Sequence, residues 1–136
     1  MLARYSSDQL RVYAVWLPML WGDARGKWNG NTMPDTRVIH FWDGDLQVGQ
    51  WFAKQVDGFE GISWDTYYLY GPDATWENTP SPLMGSGGTI YGEREKLEMQ
   101  VRALLEQFYL IKRFWRNRLR LAPSTHLHLH AGACVA

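Results

Sequence analysis

Two hydrophobic patterns alternate along the chain, and together they most restrict the folds it can adopt. Residues 10–17, 37–42 and 62–70 are rich in β-branched and aromatic side chains, which is typical of buried strands. Residues 46–56, and the stretch from residue 93 towards residue 121, carry apolar side chains at helical spacing. This order predicts an α/β domain with a central mixed sheet of about four strands, flanking helices and a long C-terminal helix.

The stretch between the third strand and the last helix is rich in turn-forming residues. Residues 71–88 hold four Gly and three Pro, which predicts a long loop, and residues 89–91 are then expected to form the short fourth strand. The Gly-rich part, residues 81–88, leads into a strand and lacks a Gly-Lys-Ser/Thr sequence. It therefore indicates a flexible hairpin loop rather than a phosphate loop, which leads into a helix N-terminus.

Length and aromatic content indicate one folded domain. A chain of 136 residues can bury one core, and eight Trp would be costly to leave in water. We expect residues 1–121 to form a single domain and residues 122–136, which have no core pattern, to form a disordered tail. The sequence contains no apolar run long enough to cross a bilayer and begins without a signal-peptide pattern, so we expect a cytoplasmic protein.

The charges are unevenly distributed, although the net charge is zero. Residues 1–111 hold nine basic and 14 acidic side chains, whereas residues 112–136 hold five basic ones and no acidic one. The basic residues lie within residues 112–120, interleaved with aromatic side chains, as in helices that bind anionic membrane surfaces or nucleic acid. The other interpretation is that these residues form the C-terminal end of a helix, which positive charge stabilises, and that this end packs on the acidic body of the domain. We do not expect nucleic acid to be a partner.

Cysteine and histidine content restricts the chemistry. Cys134 is the only cysteine in the sequence, so the chain has no pair of thiols for disulfide exchange. His126, His128 and His130 have a spacing that can bind Zn²⁺, Ni²⁺ or Cu²⁺, but they fall in the expected tail. The sequence therefore leads us to assign no catalytic residue, no metal site and no cofactor.

The order of predicted elements resembles the later part of a thioredoxin-like domain, in the thiol-disulfide oxidoreductase and peroxiredoxin-like branch. Residues 37–43 look like the family's strand that ends in Asp, and residues 46–56 like the helix that follows it. Residues 64–70 and 88–91 would form the antiparallel hairpin, and residues 93–108 the last helix. The resemblance covers roughly residues 10–108 and rests on pattern rather than on a specific motif.

The resemblance implies binding or assembly rather than thiol redox chemistry. The family's C-x-x-C unit would precede residue 10, and the sequence holds no such motif. The position of the family's cis-proline corresponds to residues 61–64, where there is no proline. Without the first βα unit an edge of the sheet is exposed, and the Trp-rich loop at 18–31, the last helix or a homodimer would cover it.

An alternative function is a small-molecule binding protein, or an enzyme, with an aromatic and carboxylate pocket. The carboxylates of Asp23, Asp43, Asp45 and Asp65 could line the same end of a parallel sheet. Tryptophans in predicted loops could form the wall of a site for a sugar, a cation or a flat ligand. The opposing interpretation is that the carboxylates cap helices and turns and that the indole rings pack in the core. The candidate ligand-binding residues are Trp21, Asp23, Trp28, Asp43, Asp65 and Trp76.

Overall fold

A computed structural model describes residues 2–27, 31–118 and 131–135 of the chain. The fold is mixed α/β with a long C-terminal helix, as the sequence predicts. Two short 3₁₀ turns, Leu2–Arg4 and Arg25–Lys27, accompany the main elements. In chain order these are β1 (Leu10–Trp16), β2 (Val38–Trp42), α1 (Gln47–Phe52) with a π-helical turn (Ala53–Asp57), β3 (Thr66–Trp76), β4 (Pro80–Gly88), α2 (Arg94–Arg118) and β5 (Ala131–Val135).

The strands form two pairs that β5 joins. β1 and β2 run parallel, with Val12 opposite Val38, whereas β3 and β4 form an antiparallel hairpin with Thr66 opposite Gly88. β5 lies between them, parallel to β1 and antiparallel to β3, so the strand order is β2-β1-β5-β3-β4. Residues 17–37 connect β1 to β2. In the described part of this connection the longest helix has three residues.

β5 differs from the tail expected at residues 122–136. Residues 131–135 pair on both sides, with Leu10 opposite Ala131 and Tyr67 opposite Val135. The sequence of a strand that is paired on both sides is typically a continuous apolar run without polar residues in alternation. Residues 131–135, Ala-Gly-Ala-Cys-Val, have such a sequence. The remaining expected tail residues, including the three histidines, lie outside the described residues.

The hairpin also differs from the prediction. Residues 71–88 were expected to be a loop and residues 89–91 a strand, but β3 continues to Trp76 and β4 occupies Pro80–Gly88. β4 is an edge strand, where Pro is tolerated, and the pairing shifts register on both sides of Tyr70. Ile90 instead follows the strand in a turn, where its N–H donates to the backbone carbonyl of Asp65 over 3.0 Å.

β3 divides the core between the two faces of the sheet, because successive side chains point in opposite directions. Tyr67 and Leu69 pack with α2, while Tyr68 and Tyr70 pack with α1. The predicted stripe of α2 is confirmed. Its buried members are Leu97, Val101, Leu105 and Phe108.

A guanidinium group fixes the N-terminal segment against β2. Arg37 donates to the backbone carbonyls of Leu2 (2.9 Å), Ser7 (3.0 Å) and Tyr5. It also donates to both carboxylate oxygens of Asp35, at 2.9 and 2.7 Å. Hydrogen bonds from the side chain and backbone N–H of Arg37 lower the pKa of Asp35 to about 2.

A carboxylate at the end of the π-helical turn ties that turn to β3. Asp57 accepts hydrogen bonds from the buried hydroxyl of Tyr68, over 2.6 Å, and from the hydroxyl of the buried Ser63. Burial, together with the hydrogen bond to the Asp57 carboxylate, raises the pKa of Tyr68 to about 12. The phenol therefore stays neutral at all ordinary pH values and acts as a fixed hydrogen-bond donor.

Across the described part of the chain, none of the helices combines the length and the apolar character needed to cross a membrane. The longest helix, α2, carries charged side chains along most of its length.

Candidate functional site

Two apolar grooves open on the surface near the ends of the strands. The first, which we call the Trp76 groove, lies on the sheet face that α1 covers in part and has a volume of about 610 Å³. Its walls come from β1, β2, α1 and the hairpin. The lining residues are Tyr13, Val15, Phe41, Trp42, Asp43, Val48, Phe52, Tyr70, Gly71, Ala74, Thr75, Trp76 and Pro80.

The strand period places aromatic rings in this groove. Tyr13 and Val15 alternate with residues that face α2, and Val15 lies opposite Phe41 in the parallel register. The rings of Tyr13 and Phe41 lie 6.4 Å apart between centroids, and both remain exposed. Because α1 has only six residues, it leaves this part of the sheet face open.

Trp76 forms the opposite wall and is held by two other rings. Its indole stacks on Trp51, with 5.1 Å between centroids and 27° between planes. It also meets Phe52 edge-on at 6.5 Å, and Phe52 in turn stacks on the buried Tyr68 at 4.6 Å. Even so, Trp76 keeps 62% of its surface exposed. The ring is therefore oriented by its neighbours while it remains open to solvent.

Asp43 is the one charged residue among the described residues that line the Trp76 groove, and its carboxylate accepts hydrogen bonds from the backbone of α1. The oxygens accept hydrogen bonds from the N–H groups of Gln47 (3.0 Å), Val48 (2.8 Å) and Gly49 (3.3 Å). Such a carboxylate caps the helix and compensates the positive end of its dipole. Asp43 therefore has the capping role that the sequence allowed as the opposing interpretation.

The second groove, which we call the Trp64 groove, lies beside the N-terminal end of α2 and has a volume of about 620 Å³. Asp23 accepts from the N–H of Leu20 over 2.7 Å, and Asp65 accepts from the N–H of Ile90 over 3.0 Å. Both carboxylates therefore stabilise turns. The lining residues are Ala14, Val15, Trp16, Leu17, Met19, Leu20, Asp23, Met33, Trp64, Asp65, Ile90, Tyr91 and Arg94.

A histidine supports the wall of the Trp64 groove from behind. The indole N–H of Trp16 donates to Nδ1 of His40 over 2.9 Å. Because the indole nitrogen can only donate, Nδ1 is the unprotonated nitrogen of this ring. The proton is then on Nε2, which faces the carbonyl of Met33 at 3.4 Å.

The six candidate residues do not form one pocket. Asp43 and Trp76 meet in the Trp76 groove, whereas Asp23 and Asp65 line the Trp64 groove. Trp21 is fully exposed and lines neither groove. Trp28 lies outside the described residues.

Several aromatic residues of the strands and of α1 line the Trp76 groove or support its wall, and apart from Trp76 the sequence analysis did not select them. In the sequence, Tyr13 and Phe41 have the pattern of ordinary strand residues. Trp51 and Phe52 have the spacing of the apolar face of a helix. The one available signal was the period of two along residues 10–17 and 37–42, which separates the rings into faces. Which face stays open depends on the length of α1, and no strand pattern contains that information.

Metal chemistry has no support in the part of the chain that the structure describes. No three His, Cys, Asp or Glu side chains lie there close enough together to hold a metal ion. The predicted histidine set, at residues 126–130, is outside the described residues.

Comparisons of the chain with protein-family models, with curated proteins and with solved structures found no match. What the protein does must therefore be inferred from its own grooves and side chains.

Proposed function

We propose that the protein is a non-catalytic binding domain and that the Trp76 groove is its binding site. The expected ligand is a flat apolar molecule that is neutral or cationic. The observation that carries the proposal is the exposed indole of Trp76, which Trp51 and Phe52 hold in a fixed orientation.

A fixed and exposed indole favours ligand binding because the ring is already immobilised in the free protein, so that binding costs little further conformational entropy. Pre-organised aromatic walls lose little conformational entropy on binding, and stacked ring pairs contribute about 0.5–1.5 kcal/mol beyond the area they bury. A groove of about 610 Å³ is in the size range of small-molecule sites. Tyr13 and Phe41 offer further exposed rings on the other wall.

The charge of the lining favours neutral or cationic ligands. Among the described residues that line the groove there is no Lys or Arg, and the one carboxylate belongs to Asp43. The faces of Trp, Tyr and Phe rings attract cations through their quadrupoles. An anionic ligand would meet Asp43 with no positive partner along the described lining.

The resemblance to thioredoxin-like domains supports a binding role without thiol chemistry. Its support is the chain order of the elements from β1 to α2, whereas β4 at Pro80–Gly88 and the central β5 depart from the arrangement that the resemblance implies, and the chain has a single cysteine. Thiol exchange needs an attacking and a resolving sulfur. We therefore propose a thioredoxin-like domain that acts through its aromatic groove.

The test is calorimetric titration with three probes of matched shape: 2-naphthol, the cation N-methylquinolinium and the anion 2-naphthoate. We expect the first two to bind the full chain and the third to bind at least several-fold more weakly. Trp76→Ala should abolish binding of N-methylquinolinium, and Trp76→Phe should restore part of it. Trp21→Ala is the matched control, because Trp21 is exposed and lines neither groove.

Two results would set the proposal aside. One is equal binding of all three probes, because the lining would then not select on charge. The other is unchanged binding to Trp76→Ala when the variant melts within a few degrees of the wild-type protein.

Assembly through β2 is the second candidate function. Among the described strands β2 pairs with β1 alone, and its residues Ile39 and Phe41 are exposed. An edge strand with exposed apolar side chains is a template for pairing with a second copy. Light scattering coupled to size exclusion decides between the two. A dimer that dissociates on Phe41→Lys supports assembly, and a monomer at high concentration excludes it.

A further inference from the structure

The two halves of α2 have different surroundings. In its first half, up to Phe108, a stripe of side chains is buried against the sheet. From Tyr109 to Arg116 no described side chain is buried, although five of these eight residues are large and apolar. We call residues 109–118 the distal segment of α2. Its described side chains are exposed, apart from that of Lys112, which is half-buried.

The distal segment carries an apolar stripe of its own. Leu110, Ile111, Phe114 and Trp115 are 66%, 42%, 55% and 49% exposed. With about 100° between successive residues, these four occupy one side of the helix, and the centre of that side lies about 100° from the centre of the core stripe. The second stripe is therefore turned by about a quarter of the helix circumference from the core stripe, and its four side chains remain exposed.

All charges in the distal segment are positive. Lys112, Arg113, Arg116 and Arg118 lie there, and no acidic residue does. The first three lie on the side of the helix away from the apolar stripe. Two cations already cover aromatic rings: Lys112 lies 5.0 Å from the centroid of Phe108, and Arg118 lies 5.0 Å from that of Phe114.

We infer that the distal segment of α2 docks on an anionic lipid surface. An interfacial helix places apolar side chains at the boundary of the acyl chains and keeps basic side chains at the level of the head groups. Leu110, Ile111, Phe114 and Trp115 provide the first group, and the basic side chains provide the second. An acidic head group supplies the charge complement of a segment that has no acid of its own.

Two other occupants fit less well. A second copy that presented the same segment would bring four positive charges against four. A nucleic acid would neutralise the cations but leave the four apolar side chains in water. A bilayer with anionic head groups is the partner that satisfies both sides of the helix.

The test is co-sedimentation of the full chain with vesicles. One set is phosphatidylcholine alone, and the other contains phosphatidylserine at about a third of the lipid. We expect binding to the anionic vesicles, little binding to the neutral ones, and a loss of binding as salt is raised.

Variants separate the two sides of the helix. Phe114→Ser with Trp115→Ser removes apolar area, and Lys112→Gln with Arg116→Gln removes two charges. Each pair should weaken binding to the anionic vesicles by about tenfold or more. Met99→Ser with Tyr91→Ser is the matched control, because both residues are exposed but lie outside the distal segment.

Several results would overturn the inference. They are equal binding to both kinds of vesicle, unchanged binding of either distal double variant, and an equal loss in the control. Absence of binding to either kind of vesicle would overturn it as well. That conclusion would hold even if light scattering showed a dimer, or if the protein bound a DNA duplex. None of these results bears on the Trp76 groove, which lies elsewhere in the fold.

Discussion

The indole of Trp51 lies 5.1 Å from the indole of Trp76, and their planes differ by 27°. One ring belongs to α1 and the other ends β3, so the contact joins two elements across the edge of the Trp76 groove. Trp51 is partly buried and Trp76 is largely exposed. The first ring therefore acts as the support and the second as the surface presented to a ligand.

Removal of the support should weaken binding even though the exposed ring remains. We expect Trp51→Ala to reduce the affinity for N-methylquinolinium by about two- to tenfold, since the stack contributes roughly 0.5–1.5 kcal/mol. Trp51→Phe keeps an aromatic partner and should lose less. Calorimetric titration of both variants measures the difference. Equal affinities for Trp51→Ala and the wild-type protein would show that Trp76 needs no support.

Tyr68 should make stability depend on pH in the alkaline range. Its pKa is raised from 10.0 to about 12 in the folded protein, so the phenol loses its proton more readily in the unfolded chain. The stabilisation is fully present below pH 10 and is lost as the pH rises towards 12. A shift of that size corresponds to about 2–3 kcal/mol.

The comparison variant for this prediction is Tyr68→Phe. Urea unfolding of the wild-type protein at pH 9 and at pH 11.5 should show a larger fall in the free energy of unfolding than the same experiment on Tyr68→Phe. The other tyrosines contribute to both proteins and cancel in the difference. Parallel falls in the two proteins would contradict the assigned role of Tyr68.

Arg37 should control both the N-terminal segment and the acidity of Asp35. In Arg37→Ala the pKa of Asp35 should rise from about 2 towards its ordinary value, and the backbone N–H groups near Leu2, Tyr5 and Ser7 should exchange faster. NMR titration and hydrogen exchange measure the two effects. The lowered pKa of Asp35 stabilises the fold above the ordinary carboxyl pKa, and this is lost as the pH falls towards 2. Arg11→Ala is the control, because Arg11 lies on the same side of the molecule as Asp35 but donates hydrogen bonds to the carbonyls of Asp8 and Leu10.

Two leucines on α2 should differ sharply in their effect on stability. Leu105 is buried in the core, whereas Leu110 is exposed in the distal segment. Leu105→Ala should cost about 2–5 kcal/mol of unfolding free energy, through lost burial and a cavity. Leu110→Ala should change it by less than about 0.5 kcal/mol. Urea unfolding of the two variants checks this, and similar costs would mean that the distal segment packs on the body.

The sequence predicts the elements whose signals are local. The periods in residues 10–17 and 46–56 and in the helix from residue 93 correspond to β1, α1 and α2. The sequence did not predict β4, because the Gly and Pro residues in Pro80–Gly88 are typical of a loop. They are compatible with a strand at the edge of a sheet, but the sequence does not show that this segment lies at an edge. β5 was missed because its pairing partners, β1 and β3, are far away in the sequence.

The candidate site was only partly predictable for a similar reason. Asp43 directly follows β2 and Asp65 directly precedes β3, but Asp23, Asp43 and Asp65 each accept hydrogen bonds from backbone N–H groups and so stabilise turns or the start of a helix. Trp76 was selected because it fell in a predicted loop, and the structure places it in a groove, although at the end of a strand. Its partners in that groove come from three other elements, so only the tertiary packing identifies them.

The central claim is that the indole of Trp76 contacts a flat cationic or neutral ligand. The most direct measurement is a two-dimensional NMR spectrum of the tryptophan side-chain N–H signals during titration with N-methylquinolinium. The signal that is absent from Trp76→Ala identifies Trp76. We predict that this signal shifts most, that the Trp51 signal shifts with it, and that the Trp21 signal stays in place. A Trp76 signal that does not move at saturating probe would contradict the account.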